Sequence, residues 1–279
     1  MFRSALTFKH TRQLLGVLRR STATDASAVD TASATTAARR VAGLFAAGGL
    51  VAFGGMFIGI AWDRARRRRD LALVANLPIL PSNPLVYMDL ADGDKPLGRL
   101  VVHVRADAAP RGAAVFVALA SAPLGHGYRS SPLLGLEKGA RVFGGDWFGS
   151  GSGSYDPLTG AVGALPVETS AADTLLHIGP GAVGFRSFPG TAHDGAALLS
   201  SQFYITLRAM PHLDGVGGRG GQLVGYVVEG WPILDVLDRA GRTNGRFNSS
   251  YDLRVSSCGI LTPAEADALR AKLGLPARA

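Results

Sequence analysis

Few side chains in this sequence form an arrangement typical of a catalytic or metal-binding site. His193 and His212 could act as acids or as ligands, but each stands alone in a loop-like stretch, where a histidine usually faces solvent. Residues 215–220 match the glycine pattern of a dinucleotide-binding turn, yet they do not lie between a strand and a helix. Cys258 is the only cysteine, which excludes an internal disulfide and a cysteine-based zinc site. The sequence therefore predicts no cofactor and no metal.

The basic charge of the chain is confined to its N-terminal part. The 279 residues carry a net charge of +8. Residues 1–85 contain 12 Lys and Arg against 4 Asp and Glu, whereas residues 86–261 contain 14 against 15. A domain that binds nucleic acid needs its basic face on the folded body. The distribution therefore predicts no nucleic-acid partner and directs attention to the N-terminal arm.

Residues 1–40 have the composition of a mitochondrial targeting segment. They are rich in Ser, Thr and Ala, and their only acidic residues are Asp25 and Asp30. The basic residues are Arg3, Lys9, Arg12, Arg19, Arg20, Arg39 and Arg40. A basic, acid-poor and amphipathic start is typical of a mitochondrial presequence. A basic tail without a targeting function is the alternative.

The next segment, residues 41–62, contains no charged residue and predicts a transmembrane helix. Its 22 residues would form a helix of about 33 Å, enough for a hydrocarbon core of about 30 Å. Arginines flank both ends, so the side on which the following body lies stays open. Gly55 and Gly59 form a small-residue motif that predicts packing against another membrane helix. We therefore expect a single span in the lipid bilayer of the mitochondrial inner membrane; a buried core helix is the alternative.

The globular body is predicted to follow a basic flank and a proline-rich linker at residues 63–85. Within residues 86–261, short apolar runs separated by turns predict many strands, and residues 113–120 and 231–237 predict two helices. This pattern predicts a mainly β fold with a closed barrel. Residues 262–279 predict a C-terminal helix and tail, because Thr262 and Glu265 can form a capping box.

Several motifs in the body, in the same order, resemble those of the cyclophilin family of prolyl isomerases. They are Pro96-Leu97-Gly98-Arg99, Phe116-Val117-Ala118-Leu119-Ala120, Phe143-Gly144-Gly145-Asp146, His177-Ile178-Gly179-Pro180-Gly181, Ser201-Gln202-Phe203-Tyr204-Ile205 and Leu213-Asp214-Gly215. The resemblance covers about residues 85–261. It implies a closed eight-stranded β-barrel capped by two helices.

The resemblance also implies that the catalytic centre is degenerate. Cyclophilins hold a proline segment in a groove on the barrel wall, where an arginine donor favours the twisted amide and a phenylalanine pocket holds the proline ring. In register with the motif at Gly144, the arginine position falls on Gly135 and the phenylalanine position on Ala140, and Tyr204 stands where the family has a second pocket phenylalanine. No catalytic residue is therefore expected. The residual groove is predicted to comprise Arg141, Phe143, Phe185, Arg186, Gln202, Phe203, Tyr204 and His212.

Three functions are compatible with these features. The leading hypothesis is an inactive cyclophilin-like accessory subunit of a mitochondrial inner-membrane complex of the respiratory type, because bulky Phe143, Phe185 and Phe188 would fill the groove. The second is a membrane-tethered prolyl isomerase that uses Arg141, Gln202 and Tyr204. The third is a chaperone-like module that binds proline segments without isomerising them.

Overall fold

The computed structural model describes residues 62, 65–66, 69–74, 77–147, 155–165, 168, 175–191, 197–215, 221–241 and 251–274, with the backbone alone at 188–191 and 197. The predicted targeting arm, residues 41–61 of the predicted membrane segment with Gly55 and Gly59, and His193 lie outside these residues. Within the described part, no helix has both the length and the apolar character needed to cross a bilayer. The chain divides into the units Met1–Trp62 and Asp63–Ala279, and the fold below is that of the second unit.

An eight-stranded antiparallel sheet dominates the described part of the body. Its strands are β1 (Leu85–Asp92), β2 (Lys95–Val104), β3 (Leu133–Glu137), β4 (Arg141–Gly144), β7 (Ala182–Thr191), β8 (Ala197–Thr206), β9 (Gln222–Glu229) and β10 (Leu253–Ile260). Their spatial order is β10-β1-β2-β9-β7-β8-β4-β3. Strands β5 (Tyr155–Asp156) and β6 (Ala161–Val162) form a separate ribbon. The prediction of a mainly β fold is confirmed.

The sheet curls into a half-barrel whose end strands are β10 and β3, which is less than the closed barrel that the sequence predicted, and the segment just before β3 contacts β10. Pro132, just before β3, forms a bridge with Arg254 of β10. The N–H of Ser130 donates to the carbonyl oxygen of Val255 at 2.7 Å, and the N–H of Val255 donates to that of Ser131 at 3.0 Å. These bonds satisfy backbone groups that an open edge would leave exposed to other chains.

The interior of the curled sheet is an apolar core covered by two helices, α1 (Pro110–Ser121) and α2 (Trp231–Ala240). Both helices have proline in the first turn, where a missing N–H costs no helical hydrogen bond. Their buried faces include Phe116 and Leu119 from α1 and Leu237 from α2. The position of the helices agrees with the two that the sequence predicts.

A third helix, α3 (Pro263–Lys272), follows the sheet. Thr262 accepts a hydrogen bond from the N–H of Glu265, and the Glu265 carboxylate accepts one from the N–H of Thr262, so the predicted capping box is present. Leu269 of α3 packs with Leu85 and Val101 of the sheet, which fixes the helix to the outside of the β1–β2 hairpin.

The proline-rich linker is packed on the body and does not simply extend away from it. Asn83 is buried, and its amide nitrogen donates to Asp107 Oδ1 at 2.5 Å. Ile79 packs against the cluster under α3. Residues 69–74, which precede the linker, are helical. A Cβ atom on Gly179 would lie 2.6 Å from Val74 Cγ2, so this glycine permits the close approach of that helix.

Candidate functional site

The candidate groove lies on the outer face of strands β3, β4, β8 and β7. Gly135, Phe143, Tyr204 and Gly184 are directly paired across these four strands. Side chains alternate between the two faces of a sheet. Val142 belongs to the interior core, whereas Phe143 and Tyr204 belong to a second apolar cluster. The groove row therefore has two aromatic residues between two glycines.

Two residues of the predicted groove lie elsewhere. Phe185 and Phe203 are 1% and 0% exposed and belong to the interior core. Phe203 packs edge-on against Tyr128, with 5.1 Å between the ring centroids. Each lies next in sequence to an outward-facing position, and the alternation of the strand turns it inward. These two phenylalanines therefore hold the strands together and cannot fill the groove.

Arg141 covers the site and is tied to Glu137. Its Nε and Nη2 donate to the Glu137 carboxylate at 2.8 and 3.2 Å. The guanidinium carbon lies 5.0 Å from the ring centroid of Phe143 and 5.7 Å from that of Tyr204. The β3–β4 hairpin brings the pair together, because Gly139 adopts the left-handed conformation at φ 68° in its turn. Arg141 is thereby held above the aromatic floor.

Tyr204 forms the end of a buried hydrogen-bonded chain. Its hydroxyl lies 2.7 Å from Nε2 of His177, and Nδ1 of His177 lies 2.6 Å from Oδ1 of Asp214. Burial lowers the pKa of His177, against the opposing effect of Asp214. We assign a neutral imidazole that donates from Nδ1 to Asp214 and accepts from Tyr204. The Tyr204 side chain is 0% exposed, and burial raises its pKa, so it is a neutral donor.

The roles of His177 and Asp214 were not predicted from the sequence, although both residues lie in the motifs that carry the resemblance. The available signal was the tyrosine at position 204, where the family motif has phenylalanine. A buried tyrosine hydroxyl requires a hydrogen-bond partner, and the histidine of a nearby motif is a candidate. Gly184 makes the arrangement possible, because a Cβ atom there would lie 2.7 Å from the Tyr204 hydroxyl oxygen.

Arg186 enters the site from β7. Its Nη1 donates to Oε1 of Gln202 at 3.2 Å, and its guanidinium carbon lies 4.8 Å from the ring centroid of Phe143. Arg186 is half-buried, Gln202 is 0% exposed and Phe143 is 8% exposed. The structure thus brings together Arg141, Phe143, Arg186, Gln202 and Tyr204 from the predicted groove.

His212 lies on the surface, in a short 3-10 turn, Pro211–Leu213. It lines a cleft of about 510 Å³ together with Arg66, Asp70, Arg208 and Asp238. Within the described residues, no group of three or more His, Cys, Asp and Glu is placed to hold a metal ion. We therefore find no arrangement in which His212 would act as a ligand.

The positions that correspond to the catalytic pair of the resemblance contain no polar side chain. Gly135 is buried in β3, and Ala140 packs in a small cluster with Met210 and Leu213. The guanidinium groups at this site belong to Arg141 on β4 and Arg186 on β7.

Comparison with known proteins agrees with this fold. The family model of the cyclophilin type peptidyl-prolyl cis-trans isomerases matches residues 87–260, more than half of the chain. The chain belongs to the cyclophilin family. A peptidyl-prolyl cis-trans isomerase of Encephalitozoon cuniculi (strain GB-M1) is 28% identical over 176 residues, which cover 63% of this chain and 94% of the relative. The matched region contains most of the eight-stranded sheet, α1, α2 and the whole candidate groove.

Proposed function

We propose that this cyclophilin-family chain is an accessory subunit of a mitochondrial inner-membrane assembly of the respiratory type and does not isomerise prolyl bonds. The main support for the proposed loss of activity is the position of Arg141, which lies above Tyr204 and is held there by Glu137. Isomerisation in this family requires an accessible apolar pocket and a donor aimed at the substrate amide.

The geometry opposes both requirements. The ring of Tyr204 is 0% exposed, so a proline ring could not contact it unless Arg141 moved. Such a movement would break a two-point ion pair whose Arg141 side chain is only 15% exposed. With glycine at position 135, strand β3 offers no donor for the amide.

The proposed location rests on the sequence. Residues 1–40 have the composition of a mitochondrial presequence, and residues 41–62 have the length and apolarity of a single span. The motif of Gly55 and Gly59 favours a contact with another membrane helix. The partners would accordingly be membrane subunits of one complex and the lipid bilayer.

Two measurements test the proposal. Mitochondrial membranes are solubilised in a mild detergent, and native electrophoresis is combined with mass spectrometry of the band that contains the chain. We expect migration with a large complex at fixed stoichiometry; migration as a free chain would refute the subunit function. A prolyl-peptide assay on the purified chain should give the uncatalysed rate, and acceleration that survives repurification would refute the loss of activity.

A membrane-tethered isomerase is the second candidate, and the pairing of Arg186 with Gln202 favours it. This pairing places a guanidinium beside a glutamine that belongs to the retained Ser-Gln-Phe motif. The relative from Encephalitozoon cuniculi is named as an isomerase. If this candidate is correct, Glu137→Gln should release Arg141 and raise the isomerase rate, whereas the inactive subunit should gain nothing.

A further inference from the structure

The positive charge of Arg186 is not balanced by a carboxylate within the described residues. Its Nη1 donates a hydrogen bond to the neutral amide oxygen of Gln202 at 3.2 Å. Five other arginines of the described body form ion pairs, which are Arg99–Asp89, Arg105–Asp107, Arg111–Asp156, Arg141–Glu137 and Arg254–Asp94. Arg186 is thus a half-buried cation whose hydrogen-bond partner among the described residues is a neutral amide.

A guanidinium in this environment favours a carboxylate. It has five N–H donors in a fixed plane, which match the two oxygens of a carboxylate group. Contact with the face of Phe143 restricts the orientation of that plane, so less conformational entropy is lost on binding. Partial burial also weakens the screening by water and salt that makes exposed ion pairs weak.

The surrounding strands decide how a partner could bind here. Strand β8 is paired with β4 and β7, and β4 is paired with β3 and β8. Their backbone groups are therefore used within the sheet, and a partner cannot add a strand at this place. Recognition has to use side chains. They would come from Arg186, Phe143 and Arg141, and we call these three residues the Arg186 surface. Gln202, which accepts a hydrogen bond from Arg186, is 0% exposed and lies beneath it.

We propose that the Arg186 surface binds an extended acidic segment of a partner protein, with a Glu or Asp carboxylate paired to the Arg186 guanidinium. This inference rests on the proposed function in that the partner is a neighbouring subunit. Charge complementarity favours an acidic occupant. The guanidinium groups of Arg141 and Arg186 both lie near the ring of Phe143, and Glu137 forms an ion pair with Arg141 but not with Arg186. The site therefore contributes specificity for acidic sequences without an open proline pocket.

The test uses the full-length chain in detergent micelles and two fluorescent peptides with blocked ends, Ala-Glu-Ala-Glu-Ala and Ala-Gln-Ala-Gln-Ala. Fluorescence anisotropy measures Kd for each. We expect the Glu peptide to bind about tenfold more tightly, the size of one charge-assisted hydrogen bond. Arg186→Gln should abolish this preference. Arg99→Gln is the control: it also removes one arginine charge, from an ion pair with Asp89 that lies outside the Arg186 surface, and it should leave the preference unchanged.

A second variant keeps the inference testable if Arg186→Gln folds poorly. Glu137 is exposed, and Glu137→Gln removes the carboxylate that pairs with Arg141, so it should tighten binding of the Glu peptide about threefold. Equal binding of the two peptides, an unchanged preference in Arg186→Gln, or an equal loss in Arg99→Gln would overturn the inference. Comigration with a complex but no peptide preference refutes this inference alone. Isomerase activity together with the preference refutes only the proposed loss of activity.

Discussion

Replacing Tyr204 by phenylalanine tests the buried hydrogen-bonded chain of the groove. The substitution restores the residue that the family motif has at this position, and it removes only a hydroxyl group. It also removes the donor to Nε2 of His177, a side chain that is 2% exposed. A buried acceptor without a donor retains its full desolvation cost. We therefore expect the family residue to destabilise this protein.

The magnitude follows from the burial of both groups. A buried polar group left without a partner costs about 1–3 kcal/mol, and removing the buried phenol hydroxyl offsets part of this cost, so we expect a loss of about 1–2 kcal/mol. No packing is lost, because the ring stays in place. The measurement is urea unfolding of the full chain in detergent at pH 7.5, with the midpoint compared at constant slope.

Tyr87→Phe is the matched control, because the Tyr87 side chain is only partly buried and its hydroxyl has no hydrogen-bond partner among the described residues. We expect its free energy of unfolding to stay within about 0.5 kcal/mol of the wild type. If Tyr204→Phe were as stable as the wild type, the assignment of a hydroxyl donor to His177 would be refuted. A loss equal to that of Tyr87→Phe would lead to the same conclusion.

Three further predictions concern the frame of the site. Burial lowers the pKa of His103 to about 4, so the unfolded chain binds more protons than the folded chain below pH 6.5. The free energy of unfolding should therefore fall by about 2 kcal/mol from pH 7 to pH 5. In His103→Gln, urea unfolding should show a smaller fall, and a fall equal to that of the wild type would contradict the assignment. The Glu168 carboxylate accepts hydrogen bonds of 2.8 and 2.6 Å from two backbone N–H groups in the first turn of α1. Glu168→Ala should therefore lower the free energy of unfolding by about 1–2 kcal/mol in the same assay, and wild-type stability would contradict this prediction. Gly184→Ala would place Cβ 2.5 Å from the Gln222 carbonyl oxygen and should lower the melting temperature. Gly93→Ala is the control, because Gly93 has open space around it and its substitution costs only the strain of a left-handed backbone. An equal fall in melting temperature for the two variants would contradict the crowding at Gly184.

Much of the fold could be predicted because its signals are local. Turn glycines and alternating apolar residues mark strands such as β1 and β2, and a proline in the first turn marks α1 and α2. The capping box at Thr262 likewise depends on residues three apart. The strand order, with β9 between β2 and β7, could be expected only through the family motifs, because it requires pairings between residues far apart in the sequence.

The groove was predicted less well, and the inclusion of Phe185 and Phe203 has one physical cause. A motif names a short stretch, but alternate residues of a strand point to opposite faces. Gln202 and Tyr204 therefore belong to the site while Phe203 belongs to the core, and the same alternation separates Arg186 from Phe185. Counting along the motif could locate the strands but could not assign a face to each side chain.

By itself, the sequence determined the family and the mainly β architecture, and it led to the prediction that Gly135 and Ala140 occupy the arginine and phenylalanine positions. These properties depend on residue types at known spacings. Only the tertiary structure decided that Arg141 is held by Glu137 above Tyr204, and that Arg186 reaches Phe143 from another strand. Such contacts depend on side-chain direction and on the register between strands, which pack residues from distant parts of the chain within a few ångströms of each other.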